Sequence, residues 1–188
     1  MSYSNPLHPP ITSTHLSPYN ALHRAMQASP STRRHVPHPT ESKWKRPSTN
    51  PIAFDFVGYP EQGMPLHELF FRGAHALQHM MEGADDMILA DTGLESINFH
   101  ISWPGYEHVE WNRDIEIITS RGPITRSHLG NVVAQHFTLF IERAQVECSK
   151  AEDWHLGRGG IRLEHIILLC VHNVSEDTWQ AEVAVDFQ

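Results

Sequence analysis

Ser96-Ile-Asn-Phe-His-Ile-Ser-Trp103 alternates strictly between polar and apolar residues. A period of two is typical of a β-strand with one buried face and one face in water. Val109-Glu-Trp-Asn-Arg-Asp-Ile-Glu-Ile117 repeats the pattern, except that Arg113 falls in the apolar phase. Because only Pro104–His108 separates the two stretches, they are predicted to form an antiparallel hairpin.

Two segments that flank this hairpin carry apolar residues at the spacing of an amphipathic helix. The first begins at Pro65, a residue favoured in the first helical turn, and stops before Gly83. It is predicted as one helix over residues 65–82. The second follows Thr125, a typical N-cap residue, and is predicted over residues 126–145.

The C-terminal part of the chain adds two further strands. Residues 163–172 form an apolar run that periodicity alone leaves open between strand and helix. A strand is favoured because the run is rich in Ile and turn-like residues follow it. Residues 179–187 alternate cleanly, and residues 52–57 form a short strand. The predicted fold is α+β, with the order β-α-β-β-α-β-β and two helices on one face of a mostly antiparallel sheet.

Residues 1–50 differ in composition from the rest of the chain. They contain eight of the 13 prolines, six of the 14 Lys and Arg residues and one of the 22 acidic residues. The remaining eight bases and 21 acids lie in residues 51–188, so the two segments carry +5 and −13. This composition predicts a disordered basic tail over residues 1–50 and a single acidic domain over residues 51–188.

The basic residues of the tail, Arg33-Arg34 and Lys43-Trp-Lys-Arg46, are consistent with nuclear import or with weak contact to nucleic acid. The alternatives are a solvated linker and a tail that lies on its own acidic domain, a contact that salt would weaken. Without a signal-peptide pattern or an apolar run of about 18–20 residues, the chain is predicted to be intracellular, cytoplasmic or nuclear, with no membrane partner.

Four strings of the chain resemble a family of uncharacterised fungal proteins, mostly from basidiomycetes, with a domain of unknown function. They are Ile101-Ser-Trp-Pro-Gly-Tyr106, Trp111-Asn-Arg-Asp-Ile115, Ile124-Thr-Arg126 and Asn173-Val-Ser175 before Trp179-Gln180. The Trp-Pro-Gly-Tyr and Val-Ser-x-x-x-Trp-Gln signatures stand at matching places between about Pro65 and Val185. The resemblance implies a fold consistent with the one above and implies no activity.

His75 and His79 are the candidate metal ligands, because a spacing of four places both on one side of the first helix. Glu82 could supply a third ligand. These residues lie on the polar face of the helix, and chance pairs are expected among 15 histidines. The sequence therefore predicts neither a metal site nor a cofactor. Its two cysteines, Cys148 and Cys170, are predicted to be free thiols, with Cys170 in the core.

Two polar residues interrupt apolar patterns. His136 lies in the apolar stripe of the second helix, and Arg113 lies in the apolar row of a strand. His136 is the candidate catalytic residue if it shares a pocket with a carboxylate or Cys170. Alternatively, it is a half-buried core histidine, while Arg113 lies at the sheet edge with its head in water. No catalytic set is evident, so the sequence leans against an enzyme.

Tyr106 at the hairpin tip and Trp154 in a loop are candidate anchors for a protein partner, and Arg113 is a candidate contact for an anionic ligand. The acidic surroundings argue against nucleic-acid binding by the domain. The favoured function is a non-enzymatic intracellular interaction module, compatible with a homodimer, with the tail as a targeting or regulatory arm. The alternatives are an enzyme or ligand-binding protein with a pocket at His136 and Arg113, and a metal-binding protein using His75 and His79.

Overall fold

A computed structural model describes residues 33–37 and 50–187, which form an α+β fold. Seven of the described strands make one sheet: β1 (Arg34–His35), β2 (Ile52–Ala53), β3 (Met64–Pro65), β4 (Ser96–Ile101), β5 (Trp111–Glu116), β8 (Ile166–Ser175) and β9 (Thr178–Val185). A separate small hairpin consists of β6 (Ile118–Thr119) and β7 (Gly122–Pro123). The described helices are α1 (Leu66–Phe71), α2 (Ala74–Met80) and α3 (Arg126–Ala144).

The sheet has the order β2-β8-β9-β4-β5, with β1 beside β9 and β3 beside β8. Both predicted hairpins are confirmed, since β4 pairs antiparallel with β5 and β8 pairs antiparallel with β9. The ambiguous run at 163–172 is strand β8, preceded by a short 3₁₀ turn. Strand β4 runs parallel to β9, which joins the two hairpins into one sheet. The predicted class, α+β with a mostly antiparallel sheet, is confirmed.

Helix α3 covers one face of the sheet, and its predicted position is confirmed. It begins after Thr125, whose hydroxyl accepts the amide N–H of His128 at 3.3 Å. The ring of Phe137 contacts Phe99 of β4 at 6.5 Å between centroids, and Phe140 contacts Trp111 of β5 at 5.9 Å. Burial of each such aromatic side chain stabilises the fold by roughly 1.5–3 kcal/mol. The interface between α3 and the sheet therefore forms a large part of the hydrophobic core.

The prediction of a single helix over residues 65–82 is wrong, because two short helices occupy that range. Arg72 and Gly73 both have extended backbone, with ψ of 136° and 159°, and separate α1 from α2. Gly73 lowers helix propensity at this point, and Arg72 turns back to pair with the buried Glu68. The apolar period continues through the break, which is why periodicity did not reveal it.

Helix α1 packs closely on α3 at a glycine. A methyl group on Gly130 would lie 3.1 Å from Phe54 and 3.2 Å from Leu69, so the site accepts little more than hydrogen. The amide group of Asn131 donates to the carbonyl of Leu69 at 2.8 Å and ties the two helices together.

Residues 33–37 lie inside the segment predicted to be a disordered tail, yet they contribute strand β1 to the sheet. Val36 of this segment is buried, with 3% of its surface exposed. The prediction of disorder is therefore wrong for these five residues, and residues 1–32 and 38–49 lie outside the described part. None of the helices within residues 33–37 and 50–187 has the length and apolarity needed to cross a membrane.

Candidate metal site on the polar face of the sheet

The sheet face opposite α3, here called the polar face, carries a row of polar side chains from four neighbouring strands. His172, Gln180, His100 and Asn112 stand opposite one another in β8, β9, β4 and β5. Opposed residues project from the same face, and this is the face away from the buried Phe99. His100 Nδ1 lies 2.9 Å from Asn112 Oδ1, which fixes one end of the row.

A β-bulge turns Cys170 towards the polar face. Leu168 stands opposite Val183 in β9, but Cys170 stands opposite Glu182, the very next residue of that strand, so Leu169 is unpaired in the register. If the strand alternated regularly through Leu169, Cys170 would point to the same side as Leu168, which is completely buried. The bulge therefore places the thiol beside a carboxylate instead of in the core.

Cys170, His172 and Glu182 bring three potential metal ligands together. Their ligand atoms all lie within 4.8 Å of one another, and Cys170 Sγ is 3.4 Å from Glu182 Oε2. At zinc bond lengths of about 2.0–2.3 Å, the ligands of a tetrahedral site lie about 3.3–3.8 Å apart. The separations in the structure, at most 4.8 Å, exceed this spacing by no more than about 1 Å. In the described ranges, this is the one place where three such residues converge.

The protonation states of the group follow from its half-buried position. Burial, together with the neighbouring Glu182 carboxylate, raises the pKa of the Cys170 thiol to about 12. The protonated thiol donates to Glu182 in the absence of a metal. Burial lowers the pKa of His172, and Glu182 offsets part of that effect. Burial thus favours the neutral imidazole, which is the form that binds metals.

The donor set indicates which ions would fit. A thiolate, an imidazole and a carboxylate together suit borderline and soft divalent ions such as Zn²⁺, whereas Mg²⁺ and Ca²⁺ prefer oxygen ligands alone. Three protein ligands leave the fourth position of a tetrahedral site for water or a further ligand. A bound cation would replace the thiol proton and reverse the electrostatic penalty that the carboxylate imposes on the thiolate.

The candidate metal ligands considered from the sequence, His75 and His79, lie apart from this group, on α2. Their rings lie 4.7 Å apart on α2, but both side chains are exposed. His79 Nδ1 is 2.8 Å from the backbone carbonyl of His75 and is occupied by that contact. The described residues around them bring no third ligand within the same range.

His136 and Arg113 do come close to each other. The His136 ring lies between Phe99 and Trp111, and Arg113 lies over the Trp111 ring at 4.6 Å. Burial lowers the pKa of His136, and the positive charge of Arg113 lowers it further. Arg113 stays exposed and donates to the carbonyl of Asn112 at 2.7 Å, which matches the edge position considered from the sequence. A guanidinium has no acceptor for a proton, so Arg113 and His136 do not form an acid–base pair.

The two aromatic residues predicted as partner anchors are differently placed. Tyr106 is 1% exposed, and its hydroxyl accepts the amide N–H of Leu156 at 3.1 Å. Tyr106 is therefore buried and not presented to a partner, because the loop that contains Leu156 packs over the hairpin tip. Trp154 is half-buried, with the Arg34 guanidinium 4.4 Å from its ring centroid.

The basic residues of the tail are divided between described and undescribed positions. Arg33 pairs with Asp186 at 3.4 Å, and Arg34 stacks on Trp154. Both guanidinium groups are engaged by the acidic domain, so they are not presented as a free pair. Lys43, Lys45 and Arg46, the second half of the proposed import signal, lie outside the described residues.

The sequence reasoning missed Cys170, His172 and Glu182 as a group. A Cys-x-His pair in a strand followed ten residues later by Glu was the available signal, since residues two apart share a face. The bulge hid it, because regular alternation from Ile166 places Cys170 in the core. Comparison with known proteins returned no match among family models, curated proteins or solved structures. The similarity to the fungal family stays a prediction.

Proposed function

We propose that this protein binds a divalent transition-metal ion, of which Zn²⁺ is representative, through Cys170, His172 and Glu182. One observation carries the proposal: sulfur, nitrogen and oxygen donors from two adjacent strands lie within 4.8 Å of one another on one face. All three side chains are half-buried, so an ion can reach them and is still partly shielded from water.

An ion at this position would join β8 to β9. These strands are adjacent interior members of the sheet order, and β2, β3, β4 and β1 all pair with one or other of them. A ligand that binds only the folded state stabilises that state by about 2.7 kcal/mol at 100 times its Kd. The proposed role of the ion is therefore to stabilise the sheet. Its fourth coordination position remains available to water or a further ligand.

The test uses the full chain purified without a histidine tag, because added histidines would bind metal themselves. Titration with Zn²⁺ by calorimetry gives the number of tight sites, and titration with Co²⁺ reports the ligands through its absorption spectrum. A thiolate bound to Co²⁺ gives a near-ultraviolet charge-transfer band. We expect one tight site and that band.

Variants separate this site from incidental binding by other histidines. Cys170→Ser, His172→Asn and Glu182→Gln should each weaken Zn²⁺ binding by more than about 100-fold, since loss of an outer-shell partner alone costs about 10–100-fold. Cys148→Ser and the double variant His75→Asn/His79→Asn are the matched controls and should bind as the unchanged chain does. A cobalt spectrum without the thiolate band, or unchanged binding by Cys170→Ser, would overturn the proposal.

The interaction-module function, the homodimer and the pocket at His136 and Arg113 stay predictions. They have less support than the metal site, because Tyr106 is buried and Trp154 is covered by Arg34. Nuclear import likewise has less support, since Arg33 and Arg34 are held by the domain.

A further inference from the structure

Strand β1 places one histidine of the N-terminal segment beside the candidate metal site. His35 stands opposite Ala184 in β9, and the next residue, Val36, donates its amide N–H to the β9 backbone at 3.0 Å. Side chains alternate along a strand, so His35 projects over the polar face while Val36 is buried on the other side. His35 therefore shares a face with Glu182.

The carboxylate of Glu182 lies between His35 and Cys170. Its Oε1 atom is 3.6 Å from His35 Nδ1, and its Oε2 atom is 3.4 Å from Cys170 Sγ. One oxygen thus faces the metal-binding thiol while the other faces the imidazole. Carboxylates that bind metals through one oxygen are commonly held by a hydrogen bond from a neighbouring group.

We propose that His35 is a positioning residue for Glu182, so that binding of the metal ion and docking of residues 33–37 strengthen each other. This inference rests on the proposed metal-binding function and adds its regulation. A separation of 3.6 Å is slightly longer than a hydrogen bond, so the imidazole has only a short distance to close when the metal fixes the carboxylate.

The segment that carries His35 is also held by two contacts outside the metal site, so docking of the segment and metal binding can each occur without the other. Arg33 pairs with Asp186, and Arg34 stacks on Trp154. Neither contact involves a metal ligand, so the segment docks without metal and gains one contact when metal binds. By linkage, the factor by which docking raises metal affinity equals the factor by which metal strengthens docking.

The first measurement is Zn²⁺ affinity of the full chain by competition with a chromophoric chelator. The His35 side chain is 64% exposed, which limits its effect on the metal site. His35→Ala should therefore lower Zn²⁺ affinity by about 5- to 10-fold, which lies between the effect of losing an exposed ion pair and that of losing an outer-shell partner of a metal ligand. His35→Gln keeps an N–H donor and should recover most of the affinity. His75→Ala, which removes an exposed histidine elsewhere, is the matched control.

A second variant separates side-chain contact from docking. Val36→Asp puts a charge at a buried position and should release the strand without altering His35 itself. It should weaken Zn²⁺ binding by the same factor as His35→Ala. In the unchanged chain, saturating Zn²⁺ should slow hydrogen exchange at the Val36 amide by that factor, and in Glu182→Gln it should have no effect.

The possible results distinguish this inference from the proposal on which it rests. If the unchanged chain binds Zn²⁺ with the cobalt thiolate band but His35→Ala binds equally well, the coupling is wrong and the metal site stands. Unchanged exchange at Val36 on Zn²⁺ addition has the same meaning. If the unchanged chain gives no thiolate band, both proposals are wrong.

Discussion

The Nε atom of Arg33 lies 3.4 Å from Oδ2 of Asp186, and 153 positions separate these residues in the sequence. Both side chains are nearly buried, with 6% and 10% of their surfaces exposed. The same guanidinium donates to the backbone carbonyl of Gln62, so three distant parts of the chain meet at one group. A base of the N-terminal segment and an acid of the domain thus form a specific ion pair.

Arg33→Ala should release residues 33–37 from the sheet. The change leaves the Asp186 carboxylate without this partner in a poorly solvated position, at a cost of about 1–3 kcal/mol. Hydrogen exchange at the Val36 amide should accelerate by about 10- to 100-fold, while exchange in β8 and β9 stays nearly the same. Arg143→Ala, a change at an exposed position of α3, is the control. Unaltered exchange at Val36 would show that the ion pair does not hold the segment.

Arg72→Met should lower the free energy of unfolding by about 3 kcal/mol, since it removes the guanidinium partner of the buried Glu68 carboxylate and leaves the weaker contact with His67. Arg72 Nε lies 2.5 Å from Glu68 Oε2, and both side chains are buried. Burial raises the pKa of Glu68, but hydrogen bonds from His67 and Arg72 outweigh it and lower the pKa below its ordinary value. Urea unfolding measures the loss.

The double variant Glu68→Leu/Arg72→Met provides the control for that experiment. Replacement of both charged residues by apolar ones removes the carboxylate that has lost its guanidinium partner, so the double variant should be more stable than Arg72→Met alone. If the two variants unfold at the same urea concentration, the loss of stability comes from packing and not from the carboxylate that has lost its guanidinium partner.

The two cysteines should react at very different rates with a thiol reagent. Cys148 is exposed, whereas burial and Glu182 raise the pKa of Cys170 to about 12. Because the thiolate is the reactive form, only Cys148 should be labelled quickly by iodoacetamide in the metal-free protein at pH 8. Cys148→Ser should abolish the fast reaction. Rapid labelling of Cys170 in that variant would show that the thiol is not held as the structure describes.

Stability should decrease as the pH falls below about 6.5, in part because of His136. Burial lowers the pKa of His136 in the folded protein, and Arg113 lowers it further. An imidazole with a lower pKa in the folded than in the unfolded state takes up a proton on unfolding, so acid favours the unfolded chain. His136→Gln should therefore show a smaller loss of stability between pH 7 and pH 5.

Thermal unfolding across this pH range measures the effect. His75→Gln, which alters an exposed histidine, should keep the pH dependence of the unchanged chain. Some dependence should remain in His136→Gln, since burial also lowers the pKa values of His165 and His172. An equal pH dependence in both variants would contradict a role for His136.

Local sequence patterns were sufficient to predict the strands and the helix in which apolar residues recur at a regular spacing. Alternation predicted β4, β5 and β9, and the apolar stripe with the Thr125 cap predicted α3, because these signals arise from one strand or helix burying one side. The break at Gly73 was not predictable, since the apolar period continues through it. Residues 33–37 gave no signal either, because a two-residue strand is fixed by partners distant in the sequence.

The sequence by itself determined the α+β class, the two hairpins and the charge contrast between residues 1–50 and 51–188, since each depends on composition or on short-range period. Only the tertiary structure decided the candidate site. A single extra residue in β8 reverses the side on which Cys170 projects, and antiparallel pairing then brings Glu182 opposite it. His35 reaches the same carboxylate through a strand more than 100 positions earlier in the chain, a proximity that no local pattern encodes.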